Sequence, residues 1–181
     1  MPNQASGILS PWLRKQRIKI VAPYLGYKIL DYGCGIGALA EICRGKDYLG
    51  IDIDKESIDI ARRQYPDLQF AYNIPVDEQF DTVIMLAVIE HIKEPIGLLR
   101  QVENILKPEG QVLITTPHPC VDAIYNFGSK IGLFSPQACE EHEHLFDYNG
   151  MSTVLNQTEL IIQHYRRFLC GANQLFVLER K

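Results

Sequence analysis

The chain has 181 residues, of which 46 % are hydrophobic and 22 % are charged, and its formal net charge at pH 7 is −4. This composition is typical of one globular domain and excludes an intrinsically disordered chain. The lack of a basic excess argues against a general nucleic-acid-binding protein, because such proteins neutralise phosphates with lysine and arginine.

Residues 1–27 predict an N-terminal helical segment that lacks the order of a signal peptide, because its basic residues follow the first apolar ones. No apolar run is long enough to span a bilayer, so we expect a cytoplasmic protein without stable membrane insertion. We interpret the basic residues 14–19 as a solvated face of a packing helix. The alternative is a lid or membrane-surface helix over an anionic substrate. The five cysteines include no C-x-x-C pair, which predicts neither a disulfide framework nor a zinc site.

The central region alternates strand and helix patterns. Asp54 is a candidate N-cap, and Pro95 suits the first turn of a helix. Such an alternation predicts a parallel sheet with helices on both faces. In chain order the predicted elements are strand 28–32, helix 38–46, strand 48–52, helix 55–65, strand 68–72, strand 80–88, helix 95–106 and strand 111–116.

The last third of the chain has a different character. Residues 117–148 show little periodicity, and we interpret them as an insertion or lid on the substrate side, because long connections in compact domains are usually functional. The segment GMSTVLNQ predicts a short helix. Residues 159–168 and 174–180 flank LCGAN, which is typical of a hairpin, so we expect antiparallel strands at the end of the sheet.

The stretch ILDYGCGIGALAEI places Gly33, Gly35 and Gly37 directly after the first strand. Gly33 and Gly35 would allow a tight turn that touches a ligand, and Gly37 would let the next helix start close to the sheet. The N–H groups of that helix favour an anionic group. Asp52 ends the second strand, 21 residues after Asp31, where a carboxylate can accept hydrogen bonds from both ribose hydroxyls.

Two cofactors fit this glycine turn. The string Gly33-x-Gly35-x-x-Ala38 satisfies the dinucleotide fingerprint, which alone is weak evidence. Asp31 would face a pyrophosphate unfavourably, but it would attract the ammonium group of S-adenosylmethionine. That cofactor could place its amino-acid end on Asp31 and the glycine turn, and its ribose on Asp52.

Four motifs resemble those of the class I S-adenosylmethionine-dependent methyltransferases, over residues 28–116 and more loosely to the C-terminus. They are ILDYGCGIG, YLGIDID, FDTVIMLAVIEHI and LLRQVENILKPEGQVLITTP, in the family's order and spacing. The resemblance implies an α/β fold in which residues 1–181 form one domain. This fold is a Rossmann-like three-layer α/β/α sandwich, with a seven-stranded, mostly parallel sheet and an antiparallel C-terminal hairpin.

The resemblance also implies S-adenosylmethionine as cofactor and assigns its contacts. Many relatives carry an acid where this chain has Asn73. Asp31, Gly33, Cys34 and Gly35 would line the methionine end of the cofactor. Asp52 would hold the ribose, and Ile53 would flank the adenine. Asn73 and Ile74 fall in the loop that contacts adenine, and Leu86 lies beside the sulfonium.

The piece EHI is similar to ubiquinone-biosynthesis O-methyltransferases, some of which bind a divalent metal through two glutamates three residues apart and an adjacent histidine. Ala87 stands at the first of these positions, so only Glu90 and His91 remain and we predict no metal site. The other interpretation is that this pair caps the following segment and supports the pocket wall.

A catalytic base is needed only if the methyl acceptor must lose a proton. The candidates are His91, His118 and His144, together with His142 beside the last of them. His118 follows the fifth strand and would point toward the ligand edge. His142 and His144 lie in the long connection, where a polar surface loop is favoured over a substrate contact or a metal site. We expect His164 to pack within its strand.

These patterns favour a methyltransferase that acts by in-line displacement on a small-molecule acceptor. The acceptor atom would be an O-, N- or C-nucleophile, in a free, glycan-linked or lipid-linked molecule. One alternative is a nicotinamide-dependent oxidoreductase, for which 181 residues leave no room for a substrate domain. Another is a non-catalytic S-adenosylmethionine-binding protein. We expect no nucleic-acid partner, and the sequence does not indicate the oligomeric state.

Overall fold

The computed structural model describes residues 10–120 and 146–181, in which helices and strands alternate as predicted. Three short 3-10 helices span Ala22–Tyr24, Ala40–Cys43 and Ile89–His91. The helices are α1 (Ser10–Val21), α2 (Lys55–Gln64), α3 (Pro95–Asn104) and α4 (Tyr148–Leu155). The strands are β1 (Lys28–Tyr32), β2 (Asp47–Ile51), β3 (Gln69–Ala71), β4 (Phe80–Leu86), β5 (Leu106–Pro117), β6 (Leu160–Phe168) and β7 (Asn173–Arg180).

The strands form one seven-stranded sheet in the order β3-β2-β1-β4-β5-β7-β6. β1 to β5 pair in parallel, and β7 runs antiparallel to both β5 and β6. This confirms the predicted mostly parallel sheet and its C-terminal hairpin. The strand order reverses between β1 and β4, and a parallel sheet binds ligands in the crevice at such a switch point.

Apolar residues cover both faces of the sheet, because alternate residues of a buried strand point to opposite sides. On β1, Ile29 packs with Val21 of α1 and Ile58 of α2 on one face. Its neighbour Leu30 packs on the other face with Leu99 of α3, in the cluster that also contains α4. The residues of the apolar stripe predicted for helix 95–106 are all buried, but that helix ends at Asn104, so only Leu98, Leu99 and Val102 lie on it. Ile105 follows its end, and Leu106 begins β5.

The predicted helix 38–46 is wrong in type and length. Only Ala40–Cys43 is helical, with i→i+3 hydrogen bonds such as that from the amide of Ala40 to the carbonyl of Gly37, 3.1 Å. Gly37 and Gly45 both have positive φ, at 83° and 80°. The segment between two left-handed residues is too short for a stable α-helix, so it forms a tighter turn instead.

Two strand boundaries also differ from the prediction. β5 begins at Leu106, so LKPEG lies within the strand, and the register against β4 shifts between Phe80 and Thr82. Such a shift absorbs extra residues as a bulge. β4 ends at Leu86 rather than at residue 88, because Ala87 turns the chain with φ of 58°.

The predicted starts of α2 and α3 are confirmed. Asp54 caps α2 by accepting hydrogen bonds from the amide and hydroxyl of Ser57, at 3.3 and 2.6 Å, and Pro95 is the first residue of α3. No helix in residues 10–120 or 146–181 is both long and apolar enough to span a membrane. Most of the predicted lid, 117–148, and the first nine residues of the predicted N-terminal segment lie outside the described residues.

Candidate functional site

Asp31 is a buried carboxyl group at the carboxyl end of β1, only 3 % exposed. The hydroxyl of Tyr48 donates a hydrogen bond of 2.8 Å to its Oδ2. Burial raises the pKa of Asp31 to about 7, the negative charge of Asp52 adds to this rise, and the Tyr48 hydrogen bond opposes it. A cation that reached this carboxyl would therefore stabilise its ionised form.

The glycine turn follows β1 and is held to the end of β2. The amides of Gly33 and Cys34 donate to the carbonyl of Ile51, at 2.8 and 3.0 Å. Gly33 and Gly35 have φ of 75° and 53°. A Cβ on Gly33 would lie 2.5 Å from Cγ2 of Val88, but a Cβ on Gly35 would meet nothing within 4 Å. Gly33 is thus required for packing, whereas Gly35 presents bare backbone to open space.

Asp52 lies one residue beyond β2, beside this turn. Its Oδ2 accepts a hydrogen bond of 2.8 Å from the amide of Gly35, and its Oδ1 accepts one of 2.9 Å from the amide of Asp54. An ionised carboxylate has about four acceptor positions, so two bonds leave further lone pairs for hydroxyl groups of a ligand.

The predicted adenine contacts lie beyond the paired ends of β2 and β3. Ile51 and Ala71 pair at the ends of these strands, and Ile53 and Asn73 each follow two residues later. Ile53 is 91 % exposed, Asn73 is exposed and Ile74 is half-buried. Exposed apolar side chains beside Asp52 give an aromatic ring a surface to cover.

The side chain of Cys34 turns away from the glycine turn. A Cβ built on Gly50 would lie 2.9 Å from Sγ of Cys34, which shows that the thiol packs down into the core over β2. Burial raises the pKa of this thiol and keeps it protonated. Only the backbone of Cys34 can face a ligand. Leu86 is half-buried at the end of β4, next to the turn at Ala87.

The two candidate catalytic histidines among the described residues, His91 and His118, follow the neighbouring strands β4 and β5. His91 is exposed at the end of the 3-10 helix after β4. His118 lies just beyond β5, where burial and the nearby Arg167 lower its pKa, and its Nδ1 accepts a hydrogen bond of 3.1 Å from the amide of Cys120. His118 is therefore neutral with its proton on Nε2. His142 and His144 lie outside the described residues. His164 is exposed on β6 and stacks on Tyr24.

Arg17 is one of the basic residues 14–19, for which the sequence favours a solvated face over a lid on an anionic substrate. This arginine extends from α1 to the sheet edge, where its Nε donates a hydrogen bond of 3.0 Å to Oδ1 of Asn173, the first residue of β7. Its helical spacing from the buried Val21, four residues later, was a signal in the sequence that it faces the sheet. Glu90 lies buried nearby and attracts the Arg17 guanidinium.

The described part of the chain contains no group of three or more histidine, cysteine, aspartate or glutamate side chains that could hold a metal ion.

The carboxyl edge of β1 and β2 thus carries two carboxyl groups, Asp31 and Asp52, and the neighbouring amide of Gly35 is already bonded to Asp52. A pyrophosphate placed on this turn would meet both carboxyl groups. A ligand with an ammonium group and a ribose would instead match Asp31 and Asp52 respectively. The residues present therefore fit S-adenosylmethionine better than a dinucleotide.

Comparisons with known proteins agree with this geometry. Residues 5–167 match a family model described as a methyltransferase domain. The chain is 36 % identical over 104 residues to the ubiquinone biosynthesis O-methyltransferase of Acinetobacter baylyi, covering 50 % of this chain and 44 % of that protein. The corresponding enzyme of Albidiferax ferrireducens is 27 % identical over 172 residues, covering 85 % and 68 %. The chain spans about half the length of the relatives from Acinetobacter baylyi, Pseudomonas aeruginosa and Aeromonas salmonicida.

Solved structures show the same fold. Magnesium protoporphyrin IX methyltransferase from Synechocystis PCC 6803, solved with bound S-adenosylhomocysteine, has a TM-score of 0.75 at 15 % identity and covers 100 % of this chain and 90 % of that one. An S-adenosylmethionine-dependent methyltransferase from Clostridium acetobutylicum has a TM-score of 0.68 at 14 % identity, with coverage of 98 % and 94 %. The family model spans most of the chain and agrees with the fold. The chain therefore belongs to the methyltransferase domain family.

Proposed function

We propose that this chain transfers a methyl group from S-adenosylmethionine to a small-molecule acceptor. The observation that carries the proposal is the hydrogen bond between Asp52 and the Gly35 amide, beside the buried Asp31, at the switch point of the sheet. Membership of the methyltransferase domain family supports it, as do the ubiquinone biosynthesis O-methyltransferases among the relatives.

Each proposed contact follows from a described position. Asp52 accepts hydrogen bonds from the ribose hydroxyls, and Asp31 stabilises the ammonium group. The backbone atoms of Gly33, Cys34 and Gly35 line the methionine end of the cofactor. Ile53, Asn73 and Ile74 contact the adenine, and Leu86 contacts the sulfonium region.

S-adenosylmethionine would supply an electrophilic methyl group on a sulfonium, which a nucleophile displaces in line. The contribution of this chain is to hold the two reactants in that line and to keep water out. His91, His118 and His144 are the proposed proton acceptors for an acceptor that must be deprotonated. In His118 the Nδ1 lone pair is engaged by the Cys120 amide, so this ring must reorient or exchange its tautomer before it can accept a proton.

The alternative activities are not favoured. A nicotinamide cofactor would bring its pyrophosphate against Asp31 and Asp52, and the relatives are methyltransferases. A protein that binds S-adenosylmethionine without turnover is distinguished by the experiment below. The cytoplasmic location and the absence of a nucleic-acid partner stay predictions.

Calorimetric titration of the protein with S-adenosylmethionine, S-adenosylhomocysteine and NAD tests the proposal. We expect the first two to bind and NAD not to bind. Binding of NAD alone would contradict the proposal. A screen of hydroxyl, amine and thiol acceptors, followed by release of S-adenosylhomocysteine, then separates an enzyme from a binding protein.

A further inference from the structure

Arg17 brings a positive charge from α1 to the carboxyl ends of the central strands. It hydrogen-bonds to Asn173, and Asn173 pairs with Pro117, the last residue of β5. Arg17 therefore lies on the β5 and β7 side of the switch point, opposite the glycine turn. The neighbouring basic side chains Lys15 and Lys19 on the same helix are exposed. Arg17 therefore does not belong to the solvated basic face that the sequence predicts for this helix.

Glu90 is the acidic group that faces Arg17, and its hydrogen bonding is incomplete. The side chain is 1 % exposed, and its Oε2 has no hydrogen-bond partner within residues 10–120 and 146–181. The hydroxyl of the buried Thr116, one residue before the end of β5, faces the Glu90 carboxyl group closely enough to lower its pKa, but it makes no hydrogen bond of good geometry within the described residues. A native fold rarely leaves such groups unsatisfied, and binding sites are among the exceptions.

The two charges do not satisfy each other. Burial lowers the pKa of Arg17 and raises the pKa of Glu90, although each attracts the other's charged form. Desolvation therefore outweighs their mutual attraction, which occurs when a buried ion pair lacks good hydrogen-bonding geometry. A ligand with an acceptor oxygen for the guanidinium and a hydroxyl for Glu90 would complete both sets of hydrogen bonds.

The charges of the ligand edge are also divided. The glycine-turn side carries Asp31 and Asp52. The side of β5 and β7 carries Arg17, and Arg14 is near enough to lower its pKa further. Arg167, at the end of β6, lies near His118. The β5 and β7 side also carries the acidic residues Glu90 and Asp147, so its charge is mixed, and an anionic ligand there would be attracted by the Arg17 guanidinium itself rather than by a net positive field.

We propose that Arg17 binds an oxyanion, a carboxylate or a phosphate, of a hydroxylated methyl acceptor. Asn173 orients the guanidinium through its Nε, and Glu90 accepts a hydrogen bond from a hydroxyl of the same molecule. This rests on the proposed methyl transfer and names the class of substrate that it uses.

The test uses protein saturated with S-adenosylhomocysteine and simple probes in matched pairs. Glycolate is compared with its neutral isostere glycolamide, and glycerol 3-phosphate with glycerol, so the two arms distinguish a carboxylate from a phosphate. NMR titration gives each dissociation constant and follows the side-chain Nε–Hε resonance of Arg17. We expect at least one oxyanion to bind about tenfold or more tightly than its neutral partner and to shift that resonance.

Three variants of α1 make the result specific. Arg17→Met should abolish the preference for the oxyanion, and Arg17→Lys should retain part of it, because lysine keeps the charge without the planar fork. Lys19→Met removes an exposed charge from the same helix and should keep the preference within about twofold. A preference that persists in Arg17→Met, or that is absent from the wild type, would overturn the proposal.

Glu90→Gln gives an independent check. Glutamine keeps an oxygen acceptor but loses the charge, so Glu90→Gln should weaken the binding of glycolate and glycolamide alike through their shared hydroxyl, while the preference for the oxyanion persists. Loss of that preference in Glu90→Gln would contradict the proposal. If Arg17→Met does not fold, the wild-type protein still tests the proposal through the Arg17 Nε–Hε resonance. An oxyanion that binds without shifting this resonance would contradict the proposal.

Failure of this inference is distinguishable from failure of the proposed function. The affinity for S-adenosylhomocysteine is measured in the same samples. Binding of that molecule without any oxyanion preference refutes only the role of Arg17. Failure to bind it refutes the proposed methyl transfer, whatever the oxyanions do.

Discussion

The backbone amide of Gly35 donates a hydrogen bond of 2.8 Å to the carboxylate of Asp52, which ties the turn after β1 to the end of β2. A second amide, that of Asp54, holds the other carboxylate oxygen. The carboxylate is therefore oriented before any ligand arrives. Such preorganisation reduces the ordering cost of binding, so removing the carboxylate should have a large effect.

Asp52→Ala should weaken S-adenosylhomocysteine binding about tenfold or more, because two ribose hydroxyls lose a charged acceptor. Isothermal titration calorimetry measures the change. Asp59→Ala is the matched control, since Asp59 is an exposed acid on α2 that pairs with Arg62 rather than with the site. Equal affinities in the two variants would show that the ribose does not bind at Asp52.

Asp31 should make cofactor affinity depend on pH. Its pKa is raised to about 7, so below that pH the carboxyl group is protonated and cannot attract an ammonium group. Affinity should therefore fall by about tenfold per pH unit below about pH 7 and level off above it. The same raised pKa makes folding stability decrease as pH rises from about 4 to 7, because the unfolded chain ionises first.

Calorimetry at several pH values between 5.5 and 7.5, run in parallel with Asp31→Asn, checks this prediction. The variant cannot ionise at this position, so its affinity should be lower at the upper pH and nearly constant across the range. A wild-type affinity that does not change with pH would contradict the assignment of Asp31 to the ammonium group.

Gly33 and Gly35 should respond differently to alanine. Gly33→Ala places a methyl 2.5 Å from Val88 at a positive φ, and should reduce the free energy of unfolding by about 2 kcal/mol or more. Gly35→Ala meets no neighbour, so it should cost only about 1 kcal/mol of backbone strain while its methyl occupies ligand space. Urea denaturation and calorimetry together distinguish the two effects. Unchanged cofactor affinity in a folded Gly35→Ala protein would mean that no ligand approaches this residue.

The turn between β6 and β7 should be stabilised by glycine. Leu169 and Cys170 both have φ of 54°, which is strained for residues with a Cβ. Cys170 is exposed, so Cys170→Gly loses little packing and should raise the free energy of unfolding by about 0.5–1 kcal/mol. Cys170→Ala keeps the Cβ and should bring no gain. Urea denaturation of the two variants measures the difference, and a stabilised alanine variant would exclude relief of backbone strain as the cause.

Much of the fold was predictable from local patterns. The apolar runs of β1, β4 and β7, the N-cap of α2 and the apolar stripe of α3 depend on spacing within a few residues of one another. The prediction of a helix over 38–46 was wrong. The residue pattern there is helical, but the segment between Gly37 and Gly45 is too short to form an α-helix. The entry of LKPEG into β5 depends on pairing with β4, which no local pattern contains.

Local patterns establish the order of the strands and of most helices, and they place acids and glycines at strand ends, where parallel strands end together. Which side chains face that edge depends on long-range packing. It places the Cys34 thiol in the core, and it brings Arg17 to Asn173 across 156 residues of chain. The reason is physical: burial and long-range hydrogen bonds depend on how distant segments pack, and packing is a property of the whole fold rather than of any short stretch.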